Sequence, residues 1–271
     1  MSGTDLSGRV AVITGAASGI GRATVMRMAG AGARLFLIDI VADALEDTVR
    51  EVTATGAAVL AHPANAAEPE AMDAAVRHAM ETFGAVDILV NNVASVGAVA
   101  PIDEMPLDAW NQALAVTLTS VFIGTKAALP HMLAQGHGSI VNIASVSGMA
   151  GDHGLSAYNA AKGGVINFTR ATAVEYSRRG VRANCVCPGA IATPPVRAMF
   201  EAPGHFERGR AMMNAHAMAR FGEANEVAEV IAFLASDAAS FVSGASYLVD
   251  GGMMAGTGMP ALPVGKYRPT E

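Results

Sequence analysis

The stretch Arg9-Val10-Ala11-Val12-Ile13-Thr14-Gly15-Ala16-Ala17-Ser18-Gly19-Ile20-Gly21 decides how this chain is built. Its first six residues, Arg9 to Thr14, are mostly apolar and β-branched, as expected of a strand covered on both faces. Glycines at 15, 19 and 21 interrupt that run, and a helical pattern follows at once, from Gly19 to Ala31. Glycine lets a backbone turn tightly and approach a pyrophosphate, while a helix N-terminus offers free N–H donors and the positive end of a dipole. The next strand candidate, Arg34 to Asp39, ends in a carboxylate eighteen residues after Gly21, where a dinucleotide site places its ribose-binding acid. The opening segment therefore reads as a nucleotide-binding β-α-β unit.

Outward from this unit the same alternation continues. Further strands are expected at Ala57 to Ala61, Val86 to Asn91, Ser139 to Ala144, Val181 to Val186 and Ser246 to Val249. Amphipathic, Ala-rich helices are expected at Ala42 to Thr55, Glu68 to Phe83, Leu107 to Ala134, Ser156 to Arg178 and Glu223 to Ala235. Short apolar runs alternating with longer helices predict a doubly wound α/β fold: a parallel sheet of about seven strands with helices on both faces. No repeat or low-complexity linker divides the 271 residues, a length that one hydrophobic core can still organise, so residues 1–271 read as a single domain.

Two segments depart from the alternation. Residues 193–221 contain Pro194, Pro195 and Pro203 among Met and Phe residues, and we read them as an apolar lid over the sheet, against the alternative of an ordinary long connection. Residues 253–271 read as an extended C-terminal tail, either frayed or laid on a neighbouring subunit.

Composition excludes several function classes. The net charge of −6 offers no basic surface for nucleic acid or anionic lipid. Hydrophobic residues make up 52% and charged residues 15%, so the chain can bury a core rather than remain disordered. Mean hydropathy is high at +0.35, yet no run approaches the ~18 consecutive apolar residues of a membrane span. Met1 to Gly8 lacks a basic region followed by an apolar signal core, which makes a cytoplasmic location the expectation. Cys185 and Cys187, two apart on a strand, point to one face and read as buried reduced thiols. The histidines show no HExxH or comparable ligand spacing, so no metal is expected.

Asp39 also bears on the choice of cofactor. A carboxylate accepts hydrogen bonds from ribose hydroxyls and repels a 2′-phosphate; like charges ~4 Å apart at an effective dielectric of about 20 repel by roughly 4 kcal/mol. No Arg or Lys stands at Ala16, Ala17 or Ile40 to receive such a phosphate, so NAD is the expected cofactor.

The chemistry concentrates at Tyr158-Asn159-Ala160-Ala161-Lys162. Four residues apart on a helix, Tyr158 and Lys162 share one face, and a nearby ammonium favours the phenolate and lowers the phenol pKa. Tyr158 then suits a general acid/base, and Ser145, at the end of the fifth strand, can hydrogen-bond a substrate oxygen.

Thr14 to Gly21, Asn91-Asn92, Ser145, Tyr158-x-x-x-Lys162, Pro188-Gly189 with Thr193, and Asp250-Gly251-Gly252 stand in the order found in the classical short-chain dehydrogenase/reductase family. The chain resembles that family over about residues 6 to 252. The resemblance implies a Rossmann-like fold, with hydride passing between a nicotinamide and a secondary alcohol or ketone. It also implies that Ser145 binds the substrate oxygen, that Tyr158 transfers its proton, and that Lys162 lowers the tyrosine pKa and holds the nicotinamide ribose. Gly15, Ser18, Gly19, Ile20 and Gly21 would cradle the phosphates, and Asn91, Pro188, Gly189, Ile191 main chain and Thr193 would line the nicotinamide side. A homotetramer is implied as well.

Three positions depart from the family pattern. Thr117 stands in place of the usual asparagine of the catalytic tetrad, and we expect a main-chain carbonyl near it to hold the relay water. Val93-Ala94 replaces the preferred Ala-Gly, and Asn65 replaces an aspartate that faces the adenine. Above Tyr158, the residues Ser95, Val96, Met149, His153, Val196, Met199 and Phe200 predict a mainly apolar pocket for a hydrophobic or alicyclic secondary alcohol or its ketone. His153 is placed on the rim in preference to a substrate-orienting role, and Trp110 is assigned to packing. The rival readings are a 3-oxoacyl thioester reductase of the same family and a non-catalytic dinucleotide-binding scaffold.

Overall fold

The computed structural model describes residues 4–200 and 206–256. Seven strands form one wholly parallel sheet: β1 (Val10–Thr14), β2 (Arg34–Asp39), β3 (Val59–Pro63), β4 (Ile88–Asn91), β5 (Gly138–Ile143), β6 (Val181–Pro188) and β7 (Ser246–Val249). Their order is β3-β2-β1-β4-β5-β6-β7, with β1 in register between β2 (Val12 opposite Phe36) and β4 (Val12 opposite Leu89). The chain adds strands to one side of β1 and then returns to its other side. Successive connections leave in opposite directions there, opening a crevice at the C-terminal edge.

Side chains alternate along a strand, so β1 feeds two cores. Ala11 and Ile13 pack with Val25 and Met28 of α1 (Gly19–Ala29), Leu45 of α2 (Ala42–Ala54) and Ile231 of α9 (Ala224–Ala235). Val12 faces the opposite layer, with Met72 and Val76 of α3 (Pro69–Phe83) and Ile123 and Met132 of α5 (Ser120–Gln135). Cys185 and Cys187 lie fully buried on one face of β6, beside Val165 of α6 (Ser156–Tyr176), in agreement with the spacing argument.

The structure corrects several expected boundaries. β3 begins two residues late, because Gly56 takes a left-handed φ of +83° after α2 and the chain spends Ala57 and Ala58 in turning back to the sheet. The expected helix from Leu107 is one rod, but it consists of α4 (Leu107–Leu114), a π-turn over Ala115–Thr119 and then α5. That rod, Leu107–Gln135, is long and apolar enough to cross a membrane by length and composition, yet 56% of its apolar window is buried in the protein. The expected lid carries helices α7 (Pro194–Phe200) and α8 (Phe206–Asn214), with Pro194 and Pro195 at the helix start, where a missing N–H costs nothing. Of the expected tail, Met253–Ala255 form a short 3-10 turn, and residues 257–271 lie outside the described residues.

At the N-terminal edge of the sheet, Asp87 ties three strands together. It is 8% exposed, accepts the Val10 N–H at 2.8 Å, and meets Arg9 at 3.4 Å and His137 Nε2 at 2.7 Å. Replacing Asp87 by Ala leaves the buried Val10 N–H without its partner, while Arg9 keeps Asp237 at 3.1 Å, and is expected to cost about 1–3 kcal/mol. A urea unfolding midpoint unchanged by Asp87→Ala would contradict this.

Candidate active site

The glycine turn is fixed by contacts that leave no room for side chains. A Cβ at Gly21 would lie 1.9 Å from the Gly15 carbonyl oxygen. Gly15 and Gly19 take φ of +64° and +52°, in the left-handed region that glycine enters without strain. Asn92 secures the turn to β4: its Nδ2 donates to the Gly15 carbonyl at 3.0 Å, and its N–H donates to Thr14 Oγ1 at 3.0 Å. Ser18 caps α1 without a side-chain hydrogen bond, and the first helical turn contains no acid. The helix therefore presents N–H donors and uncompensated positive dipole to the crevice, a cradle suited to a pyrophosphate.

From this turn a cleft of about 560 Å³ runs along the C-terminal edge. Gly15, Ser18, Gly19 and Ile20 form its floor, with Asp39, Ile40 and the Ala64-Asn65-Ala66 segment at one end. Asn92, Val93, Ala94, Gln112 and Val116 make a wall, and Thr193 and Pro195 lie over the turn. Asp39 is held upright, with one carboxylate oxygen accepting the Ala17 N–H at 2.9 Å and the other the Val41 N–H at 3.0 Å. Each oxygen keeps a lone pair for a ribose hydroxyl. The surrounding side chains, Ala16, Ala17 and Ile40, are apolar. The dimensions, the open helix end and the acid together fit a dinucleotide.

Two expected cleft residues do other work. Asn91 is buried, and its Nδ2 donates to Asn142 Oδ1 at 2.9 Å and Thr125 Oγ1 at 3.3 Å, so its side chain braces β4 against β5 and α5. The neighbouring Asn92 lines the cleft instead. Asn65 spends its amide on the start of α3, accepting from Ala67 N–H and donating to Glu68, each at 3.0 Å. It lines the cleft with one amide hydrogen and one lone pair already committed to the start of α3.

Tyr158 and Lys162 stand one turn apart on α6, and Ser145 follows β5 at the cap of a short 3-10 turn, Val146–Gly148. The Ser145 Oγ accepts the Ser147 N–H at 3.1 Å and lies against the Tyr158 phenol, favouring the phenolate. Lys162 is 1% exposed; its Nζ donates to the Ile143 carbonyl at 2.5 Å and sits 5.7 Å from the centre of the Tyr158 ring. Burial pushes the Lys162 ammonium down to about 8. The Tyr158 pKa differs from the sequence expectation. Burial raises it above the ordinary phenol value, the Ser145 hydrogen bond opposes that rise, and the Asp152 carboxylate adds to it. Desolvation thus outweighs the Ser145 hydrogen bond at this position.

Thr117 is fully buried in the π-turn, and its hydroxyl both donates to the Ser95 carbonyl and accepts the Ser95 N–H, each at 3.0 Å. The side chain itself is therefore engaged, fastening the loop that follows β4. Asn159, to which sequence reasoning gave no role, donates to the carbonyls of Ser147 at 2.6 Å and Ala150 at 2.9 Å. It holds the loop between Ser145 and Tyr158.

The expected substrate residues gather on three segments. Ser95 and Val96 follow β4, Met149 and His153 precede α6, and Val196 and Met199 lie on α7; a bridge between Ala100 and Leu155 joins the first two loops. Val96, Met149 and Met199 leave much of their apolar surface uncovered, and His153 is exposed. Phe200 is a correction: it is 7% exposed and packs against the Phe221 ring at 6.0 Å. Gly189 and Ile191 also lie behind the cleft, Gly189 against His216 and Asp250, and Ile191 in the core opposite Gly222. Pro188 closes β6, and Thr193 is the member of this stretch that reaches the glycine turn.

Comparison with known proteins agrees with this geometry. The family model described as enoyl-(acyl carrier protein) reductase matches residues 15–254. Cyclohexanol dehydrogenase of Acinetobacter sp. (strain SE19) is 42% identical over 243 residues, 90% of this chain and 94% of that protein. Cis-4-hydroxycyclohexanecarboxylate dehydrogenase of Sinomonas cyclohexanicum is 42% identical over 248 residues, 91% and 97% of the two chains. The crystal structure of levodione reductase superposes with a TM-score of 0.89 at 38% identity, covering 92% of this chain and 98% of that one.

The Thr117 hydroxyl gives a direct test. Thr117→Val preserves shape but leaves both Ser95 backbone groups unpaired, and is expected to lower kcat/KM about tenfold. Thr117→Asn keeps a donor and an acceptor and is expected to stay within about threefold of wild type. A tenfold gain in Thr117→Asn would instead mean that the native hydroxyl impairs proton transfer.

Proposed function

The chain belongs to the classical short-chain dehydrogenase/reductase family and is an oxidoreductase, and from that premise we propose an NAD-dependent dehydrogenase of hydrophobic, alicyclic secondary alcohols and their ketones. The observation that carries this reading is the meeting of Ser145, Tyr158 and Lys162 just beyond the C-terminal end of β5, on the same edge of the sheet as the cleft lined by the glycine turn and Asp39. Apolar surface left uncovered at Val96 after β4, Met149 before α6 and Met199 on α7 favours a hydrophobic substrate, as do the names of the two cyclohexane-ring relatives.

In this reading Asp39 accepts hydrogen bonds from the adenosine ribose, and Gly15 to Gly21 receive the pyrophosphate. When bound, the nicotinamide supplies the acceptor or donor of hydride. Ser145 donates a hydrogen bond to the substrate oxygen and fixes it beside the Tyr158 hydroxyl. In oxidation the Tyr158 phenolate takes the alcohol proton, and in reduction the phenol returns it to the developing alkoxide. Lys162, held by the Ile143 carbonyl beside the tyrosine ring, would donate a hydrogen bond to the nicotinamide ribose.

The same reading places the enzyme in the cytoplasm, in keeping with two buried unpaired thiols, and makes it a homotetramer. Exposed Phe122 on α5 and Val174 on α6 supply apolar surface for subunit contacts. The acyl-carrier description of the family model favours one second reading, a 3-oxoacyl thioester reductase. Asp39 argues against the NADPH that such a reductase uses.

Mixing the protein with NAD⁺ or NADP⁺ and a panel of cyclic and open-chain secondary alcohols is expected to produce NADH, fastest with ring substrates. NADPH formation alone would overturn the Asp39 argument, and turnover confined to 3-oxoacyl thioesters would establish the second reading. Tyr158→Phe is expected to lower turnover at least about a thousandfold while NADH still binds. Oxidation needs the phenolate, and burial raises the Tyr158 pKa. Its rate is therefore expected to keep climbing beyond about pH 9 without levelling, while ketone reduction, which uses the phenol, stays level from about pH 7 to about pH 9. A flat oxidation profile would count against Tyr158 as the base.

A further inference from the structure

We infer that His216, outside the catalytic set, is a positioning residue for the nicotinamide end of the cleft, holding the turn from which Thr193 reaches the glycine loop. The reading rests on the cleft being a dinucleotide site, and deepens it.

His216 follows α8 and is 3% exposed. Its Nε2 lies 3.1 Å from the Ala190 nitrogen, which has only a proton to offer, so Nε2 is the acceptor. In the neutral ring Nδ1 then carries the hydrogen and donates to the Met212 carbonyl at 2.9 Å. The imidazole thus joins the end of α8 to the turn after β6. The same segment also binds the other side of that turn: Gly222 N–H donates to the Ala190 carbonyl at 3.0 Å, and Ala192 N–H to the Gly222 carbonyl at 2.8 Å. Both backbone polar groups of Ala190 are therefore set by residues 216–222. Three residues on, Thr193 lies against Gly19, where an added Cβ would come within 3.1 Å of Thr193 Cγ2.

The imidazole has little freedom to move. A Cβ at Gly189 would approach Nε2 to 2.9 Å, and one at Gly252 would approach Ala217 Cβ to the same distance. Met218 N–H donates to the Gly251 carbonyl at 3.0 Å, and Ala219 bends the chain at φ +51°. Nearby charges are otherwise engaged: Asp250 accepts from Gly252 and Met254 N–H groups, and Arg220 pairs with Glu226. Removing the acceptor leaves a buried Ala190 N–H without a partner and frees the 189–193 turn to shift. The adenine end, built on β1, β2 and α1, has no such dependence.

The test compares NADH with ADP-ribose, which lacks the nicotinamide, in the full-length protein. His216→Leu is expected to weaken NADH about tenfold or more while ADP-ribose stays within about twofold. His216→Gln, whose amide oxygen replaces Nε2 as acceptor, is expected to hold both ligands within about threefold. If His216→Leu does not fold, His216→Asn decides: its amide can still reach Met212 but falls short of Ala190, and the same selective loss of NADH is expected. Unchanged NADH affinity, or equal weakening of both ligands, would overturn the proposal and leave His216 a packing residue. Wild-type protein that binds neither ligand would refute the dinucleotide reading itself, and this inference with it.

Discussion

A backbone carbonyl, that of Gly15, occupies the space where residue 21 would otherwise carry a side chain. That contact brings the glycine turn onto the start of α1, and Asn92 locks it to the end of β4 by donating its amide to the Gly15 carbonyl. The crevice exists because β1 lies between strands whose connections leave in opposite directions. Its width at the helix end is set by this one approach. Asp39, which accepts the Ala17 N–H from the same turn, and Thr193, which packs on Gly19, both take their places from it.

The second constraint is electrostatic. Lys162 is an ammonium almost without solvent, satisfied by the Ile143 carbonyl at the end of β5 and faced by the ring of Tyr158. Burying a cation costs free energy unless its donors are met, and the lowered Lys162 pKa expresses that cost. The same desolvation raises Tyr158. The site therefore holds a protonated phenol beside a cation whose charge is weakly held, and Ser145 is the local group that favours the phenolate.

Much of this was legible in the sequence because its signals were local. A strand, three glycines, a helix and an acid in one short stretch define the first β-α-β unit, and four-residue spacing places Tyr158 over Lys162. What could not be read depended on partners distant along the chain. Asn91 looks like a cleft residue until Asn142, on the neighbouring strand, takes its amide. Phe200 looks like a pocket wall until Phe221 covers it, and Asn65 until Glu68 folds back onto it. Desolvation of Tyr158 is a property of the assembled site, whereas its spacing to Lys162 belongs to one helix, so direct reasoning from the pair gave the opposite sign. The π-turn left no mark in the apolar periodicity because the rod is apolar on nearly all sides there.

That π-turn governs one wall of the cleft. It inserts a single extra residue between α4 and α5, which offsets the two helices by about 100° relative to an uninterrupted helix. Gln112 and Val116 face the crevice on that account, although α5 is locked to the sheet independently through Ile123 and Met132. The wall is thus specified by helical phase more than by the identity of any side chain. A one-residue deletion within Ala115–Thr119 would turn α4 away like a key in a lock while the sheet behind it stayed in place.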